Sequence, residues 1–301
     1  MGEEKRKREA VLNGPCPCSS NKPARICCFT GQGWQWHKSP ANLGLRTLPL
    51  GHHLEKCYMK ELGSCVPGIS REHIISNSVC KVLVGDGDLS VSGVPWLEAG
   101  ETKIIAPPTA KCLCRKHNSA LSPLDAAAHF FFASLKSYLE RDGGMRHALI
   151  SGHDLERWLL KTAKAAAISR NLAHDRKPLS GTFARDEAII DMLDNPTNWP
   201  EGAGLYCVMN TGDVTEKTAR FQFQPLIDEN DNIEALAINI MGFRFVLILS
   251  TKDVSRYPFL SGAKFRPGRI QISYPKSTSW LTLSWEGQTN HDVLSLKLLQ
   301  H

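Results

Sequence analysis

The sequence predicts a protein of the α+β class, in which a cysteine-rich unit is followed by helices and then by an antiparallel β-sheet. Three observations predict this order. Cysteines concentrate in the first third of the chain, apolar residues recur at helical spacing between residues 122 and 193, and short apolar segments separated by turns follow from residue 204. The chain has 301 residues, 42% of them hydrophobic, so it can bury a sizeable core. We expect three units, at residues 1–35, 50–142 and 150–301.

The basic excess of the chain lies in its first half. Residues 1–30 carry six Lys and Arg against three Glu, residues 31–150 carry thirteen basic against ten acidic side chains, and residues 151–301 carry seventeen of each. A basic surface favours a polyanionic partner such as nucleic acid. No apolar run approaches the ~20 residues of a membrane span, and residues 1–10 lack the apolar region of a secretory signal. We therefore expect a cytoplasmic protein with no membrane partner.

Four cysteines near the N-terminus have the spacing of a metal knuckle. They are Cys16, Cys18, Cys27 and Cys28, in a C-x-C-x8-C-C pattern. A segment this short and this poor in aliphatic residues cannot fold by hydrophobic burial, so bound Zn²⁺ would have to supply its folding free energy. The pattern resembles the SEC-C zinc motif. This resemblance implies that residues 1–35 form a zinc knuckle that contacts a protein partner rather than performing chemistry.

A second set of zinc ligands is predicted further along the chain: Cys57, Cys65, Cys114 and His117. Two such pairs separated by about fifty residues are typical of a zinc-ribbon-like frame. Cys112 lies two residues before the third ligand and is an alternative to it, and Cys80 is a further candidate. Because no export signal is evident, disulfides are not expected between these cysteines.

A Glu-His pair lies between the two halves of this frame, and an Asn follows the last ligand. These residues are Glu72, His73 and Asn118. Brought together by the frame, they could hold a hard divalent cation and activate a water molecule for hydrolysis. Two simpler interpretations stay open, namely an ordinary histidine at position 73 and a helix-capping asparagine at position 118.

The same residues carry a family resemblance. The segment Ser70–Ser76 reads Ser-Arg-Glu-His-Ile-Ile-Ser, and from Leu113 the chain reads Leu-Cys-x-x-His-Asn-x-x-Leu-Ser. Together they resemble an HNH endonuclease of the ββα-metal, or His-Me finger, group. The resemblance covers about residues 54–125 and implies a zinc-supported ββα-metal finger that hydrolyses phosphodiester bonds in DNA, with RNA as an alternative substrate.

The resemblance also implies a role for each site residue. Glu72 would bind a catalytic Mg²⁺ or Mn²⁺, His73 would be the general base that deprotonates water, and Asn118 would be a second metal ligand. His117 stands where the family has its final structural cysteine. The sequence departs from the family pattern in having Glu for the commoner Asp, a long insertion, and no Asn before Leu113. An alternative function is therefore a catalytically silent zinc-binding module for nucleic acid or protein.

The insertion and the rest of the chain give the remaining predicted elements. Residues 81–84 and 89–92 are predicted to form a hairpin about a Gly-Asp-Gly-Asp turn. Predicted helices cover Ala126–Leu139, starting from a cap at Ser122, as well as Ser151–Ala167 and Phe183–Leu193. The predicted strands are Leu205–Met209, Ala219–Gln224, Ile233–Ile240, Phe243–Ser250, Ile270–Tyr274 and Trp280–Trp285. The basic side chains Lys161, Lys164 and Arg170 are expected on a solvent-exposed helix face.

Overall fold

The structure of the chain is a computed structural model with mixed α and β elements. It describes residues 2–16, 23–26, 37–46, 50–85, 89–92, 94–98, 101–140, 145–174, 177–179, 186–208, 221–230, 232–250, 257, 260–275, 277–287 and 292–297. The α-helices are α1 (Gly2–Asn13), α2 (Asn77–Val84), α3 (Arg115–Ala120), α4 (Ser122–Glu140), α5 (Gly152–Ile168) and α6 (Asp186–Asp194). None of these described helices is both long and apolar enough to cross a bilayer.

The strands form one five-stranded sheet, one four-stranded sheet and three two-stranded pairs within the described residues. They are β1 (Ile69–His73), β2 (Leu89–Ser92), β3 (Thr102–Ile105), β4 (Thr109–Cys114), β5 (His147–Ser151), β6 (Ala173–His174), β7 (Lys177–Pro178), β8 (Gly204–Val208), β9 (Phe221–Ile227), β10 (Ile233–Ile240), β11 (Phe243–Ile248), β12 (Lys264–Phe265), β13 (Arg269–Tyr274), β14 (Ser277–Ser284) and β15 (Val293–Lys297).

The strands β1 and β4 form an antiparallel pair, and α3 begins directly after β4. Ile69 lies opposite Cys114 at one end of the pair, and His73 lies opposite Thr109 at the other end. The chain between the two strands forms α2 and the antiparallel pair β2–β3. The unit therefore runs strand, intervening segment, strand, short helix.

One prediction for the segment between β1 and β4 is wrong. Residues 81–84, predicted to be a strand, form the last part of α2 instead. Val79, Cys80 and Leu83 recur at helical spacing and are buried, and α2 packs against α4. Residues 82–84 are a three-residue apolar run that is too short to show a period of its own, and packing against α4 decides its conformation. Residues 89–92 do form a strand, but β2 pairs with β3 downstream.

The expected C-terminal sheet is two sheets. The five-stranded sheet has the order β12-β8-β11-β10-β9 and is antiparallel throughout. The four-stranded sheet has the order β15-β13-β14-β5 and is mixed, because β15 runs parallel to β13 and β5 runs parallel to β14. All six predicted strands overlap observed ones. The strands β12 and β15 were not predicted, and neither was β5, which joins the four-stranded sheet from a position before α5 in the chain.

Helix α5 is the central element, and its placement overturns a second prediction. It contacts α4, α6, β4, β5, β11 and β14. Lys161 and Lys164, expected in solvent, are only 2% and 1% exposed. One continuous hydrophobic core includes residues from both the 50–142 and the 150–301 segments. Periodicity describes one helix at a time, so it does not reveal a helix that is covered on every side.

Candidate functional site

Four of the predicted zinc ligands converge in the structure: Cys57, Cys65, Cys114 and His117. Their ligand atoms all lie within 4.8 Å of one another, and all four residues are buried. The first two flank a 3₁₀ turn at Lys60–Leu62, and the third ends β4 and caps α3, which carries the histidine in its first turn. A buried group of this composition could hold a metal ion such as zinc.

The orientation of His117 suits a ligand. Its Nδ1 lies 3.3 Å from the Cys57 sulfur and 3.9 Å from the Cys65 sulfur. Its Nε2 lies 3.0 Å from the hydroxyl oxygen of the buried Ser64. In the tautomer that a metal ligand requires, Nε2 carries the proton and donates it to Ser64, which leaves the Nδ1 lone pair directed at the cluster. Metal-bound histidines are commonly oriented by such a hydrogen bond from the other ring nitrogen.

Burial and helix capping set the charges in the cluster. Burial raises the pKa of the Cys57 thiol to about 12 and also raises the pKa of Cys65. Burial raises the pKa of Cys114 too, but hydrogen bonds led by the backbone N–H of His117 outweigh it and lower this pKa overall. Burial lowers the pKa of His117 to about 4, so the imidazole is neutral near pH 7. A metal would stabilise the thiolate forms that burial alone disfavours.

The two alternative cysteines lie outside this group. Cys80 is buried in α2, and its thiol donates to the backbone carbonyl of Ile75. Cys112 is buried, and this burial raises the pKa of its thiol to about 12, with a smaller increase from the charge of Glu72 and a decrease from that of Lys161. Among the residues that the structure describes, the four ligands named above form the one group of this kind.

The N-terminal knuckle is largely outside the described residues. Of its four predicted ligands, Cys16 is described and is buried, next to a bridge between Pro15 and Pro23. Cys18, Cys27 and Cys28 lie outside the described residues. The knuckle and its zinc ion stay predictions.

The predicted acidic site residue has a partner that the sequence analysis missed. Glu72 is 6% exposed, and its carboxylate is ion-paired with the ammonium group of Lys161 from α5. The same Lys161 Nζ lies 2.7 Å from Oδ1 of Asp125 at the start of α4. Burial raises the pKa of Glu72, while the positive charge of Lys161 opposes this shift.

Hydrogen bonds fix this second group to the central helix. The indole Nε1 of Trp158 donates to Ser76 Oγ over 2.7 Å, and the Ser76 hydroxyl donates to Asp125. Both Trp158 and Ser76 are buried. We call Glu72, Asp125 and Lys161 the carboxylate–lysine cluster. Because these contacts join β1, α4 and α5, the cluster is held by tertiary packing.

His73 lies next to this cluster in the chain and is partly exposed. Burial lowers its pKa, the carboxylate of Asp125 raises it, and Lys161 lowers it, with a net decrease. Asn118 is also partly exposed, on α3, where its carbonyl accepts from the backbone N–H of Leu121. No hydrogen bond between described residues links its side chain to Glu72 or His73.

The sequence pattern predicts an exposed Lys161 and does not single out Asp125 as a site residue. A signal was present, because a glutamate in a strand beside apolar residues needs a buried counter-charge. Comparisons with protein-family models, with curated proteins and with solved structures found no match.

Proposed function

We propose that this protein is an HNH-like endonuclease that hydrolyses phosphodiester bonds in DNA, with His73 as the general base and structural zinc at the Cys₃His group. The observation that carries the proposal is the position of this group at the junction of β4 and α3. His73 follows Glu72 on β1, which pairs with β4, and is partly exposed, and the charges of Asp125 and Lys161 act on its pKa. The order of β1, β4 and α3 is also the strand–strand–helix order that the resemblance predicts.

The protonation state of His73 supports its proposed role. A general base must be unprotonated at working pH to accept a proton from water. Burial lowers the pKa of this imidazole below its ordinary value, which favours the neutral form near pH 7. Its partial exposure gives water access to the ring.

The proposed catalytic cation is Mg²⁺ or Mn²⁺, and the oxygen donors beside His73 suit it. Carboxylates of Glu72 and Asp125 converge on one positive charge, the Lys161 ammonium, so a cation position between them already exists. Both ions prefer such hard oxygen ligands. When bound, the ion would polarise the phosphodiester and lower the pKa of a bound water. The role of Asn118 as a further ligand stays a prediction.

Exposed basic side chains on the same unit support a nucleic-acid substrate. Arg71 of β1, Lys111 of β4 and Arg115 of α3 are all exposed. Cations placed near a hydrolytic site would contact backbone phosphates whatever the base sequence, in DNA or in RNA. The N-terminal knuckle as a protein contact and the cytoplasmic location stay parts of this proposal.

One observation favours a second candidate, a catalytically silent zinc-binding module with the same fold. The carboxylate of Glu72 is already neutralised by Lys161 inside the protein. With the Glu72 carboxylate already paired in this way, the module could bind nucleic acid or protein without catalysing hydrolysis. The two candidates predict opposite outcomes in a cleavage assay.

The test compares His73→Ala with His129→Ala, which alters an exposed histidine on α4. Both variants are loaded with zinc and incubated with supercoiled DNA in Mg²⁺ or Mn²⁺. We expect His73→Ala to lower the cleavage rate by ~10²–10⁴ with little change in melting temperature, and His129→Ala to cleave normally. If the wild-type protein cleaves neither DNA nor RNA, the silent module is the correct function.

A further inference from the structure

Lys161 occupies an unusual position for a lysine. It is 2% exposed, and its ammonium group contacts Glu72 and Asp125, which come from two other elements. Helix α5, which carries it, is covered by helices and strands of both halves of the chain. A lysine buried this deeply needs its charge paired, and two carboxylates supply that pairing.

We propose that Lys161 competes with the divalent cation for one site. Its ammonium group contacts Glu72 and Asp125 at the position where the metal ion would bind, and it therefore sets the affinity of the site for that ion. The inference rests on the proposed function only in placing a divalent cation at these two carboxylates. It gives the C-terminal half of the chain a role in the site, because α5 supplies the competing charge.

The charges explain why competition follows. Two carboxylates and one ammonium carry a net charge of −1, whereas the two carboxylates alone carry −2. A divalent cation that binds beside Lys161 therefore meets less attraction and an added like-charge repulsion. Burial strengthens both effects, since charges interact more strongly away from bulk water. Lys161 cannot relieve the repulsion by turning into solvent without leaving a buried position.

The test measures Mn²⁺ binding to the zinc-loaded full chain without nucleic acid, from the electron paramagnetic resonance signal of free Mn²⁺. We expect Lys161→Gln and Lys161→Met to bind Mn²⁺ about tenfold more tightly than the wild type, or better, because the competing charge is gone. Adding Glu72→Gln to either variant should remove the gain. An unchanged or weaker affinity, or a gain that survives Glu72→Gln, overturns the proposal.

The matched control is Lys164→Gln, one turn further along α5. Lys164 is as deeply buried and is ion-paired with Asp186 at 2.5 Å. Removing its charge perturbs the same helix without touching Glu72, so Mn²⁺ affinity should stay at the wild-type value. A gain of the same size in this control would show a non-specific effect and would also overturn the proposal.

Two further arms keep the test decisive. Lys161→Gln retains amide donors for the carboxylates, so it is the variant more able to fold. If both Lys161 variants are unfolded without Mn²⁺, Mn²⁺ should restore their folded spectrum in a Glu72-dependent manner, and no restoration overturns the proposal. The Mn²⁺ measurement contains no substrate, so the two proposals can fail separately. A gain in Mn²⁺ affinity without DNA cleavage would reject the nuclease and keep Lys161 as a competitor. DNA cleavage without a gain in Mn²⁺ affinity would keep the nuclease and reject the competitor.

Discussion

The two ends of the β1–β4 pair carry clusters of opposite chemical character. At the end where Ile69 faces Cys114, three thiols and an imidazole form a soft-ligand group. Toward the other end, Glu72 lies opposite Ala110 and joins the carboxylate–lysine cluster. One group suits a permanently held metal such as zinc, while the other already contains its own cation.

The two clusters depend on the rest of the molecule in different ways. The soft-ligand group is built from one loop and one strand–helix junction, so a metal ion is what would hold it together. The carboxylate–lysine cluster is built from β1, α4 and α5 and is held by packing. Damage to the first should therefore unfold the unit, whereas damage to the second should cost a limited amount of stability.

The largest effect is expected for Cys65→Ser. Structural zinc supplies roughly 10–16 kcal/mol of apparent binding free energy in small zinc domains at pH 7, which is as large as the ~5–15 kcal/mol stability of a typical protein. Losing one of four ligands should therefore lower the zinc content and unfold the unit. Elemental analysis and circular dichroism of the purified variant check both outcomes.

The control for this prediction is Cys80→Ala, which removes an equally buried thiol outside the soft-ligand group. We expect it to keep its zinc and to lose only the ~1–3 kcal/mol of an ordinary buried polar group. Equal zinc loss in both variants would contradict the assignment of Cys65 and revive Cys80 as a ligand.

A smaller effect is expected for Lys161→Met. Removing one member of a buried ion pair leaves uncompensated charge and costs about 3–5 kcal/mol. Lys164→Met should cost less, because the carboxylate of Asp186 is 40% exposed and water can solvate it after the change. Urea denaturation of the zinc-loaded variants measures both free energies of unfolding. Equal losses of unfolding free energy in the two variants would mean that the carboxylate–lysine cluster stabilises the protein no more than the Lys164–Asp186 pair does.

The contrast between the clusters also explains how far the sequence could predict the site. The soft-ligand group was predictable because cysteine spacing is a local signal and thiolate chemistry is specific. The pairing of Lys161 with Glu72 was not predictable, because the two residues lie 89 positions apart in the chain. The helix that carries Lys161 is also buried on all its faces, so its burial does not follow from an apolar stripe. The same limit applies to residues 81–84, which became helix because of packing against α4. In the C-terminal half six strands overlap predicted ones and β12 and β15 do not, and the parallel pairing of β5 depends on a crossover that periodicity does not encode.

An acid effect of intermediate size is expected away from both clusters, at His147 of β5. Burial lowers its pKa to about 4, and its Nε2 lies 2.9 Å from Thr282 Oγ1. Between pH 6.5 and 4 the unfolded chain binds a proton at this position that the folded chain does not. The stability that the neutral His147 imidazole contributes above pH 6.5 is therefore lost as the pH falls from 6.5 to 4.

The variant that isolates this effect is His147→Gln, which keeps a polar group near Thr282 and removes the titration. From pH 6.5 to 4.5 we expect the wild type to lose about 2–3 kcal/mol more stability than the variant. The substitution leaves the soft-ligand group unchanged, so any acid-driven loss of zinc is common to both proteins and the difference reports His147. Parallel stability curves would show that this imidazole does not titrate in the window.

The smallest effect is expected for Ser64→Ala, which changes a hydrogen-bond partner of the soft-ligand group and none of its four ligands. Ser64 Oγ lies 3.0 Å from His117 Nε2, so its loss frees the ring to rotate and to change tautomer without removing a ligand. Outer hydrogen-bond partners of metal-bound histidines typically contribute about tenfold or more to metal affinity, or about 1.4 kcal/mol. Competition with a zinc chelator measures this change.

Ser70→Ala is the matched control, because Ser70 donates to the backbone carbonyl of Leu113 and does not contact His117. We expect its zinc affinity to equal that of the wild type, and an equal loss in both variants would contradict a specific role for Ser64.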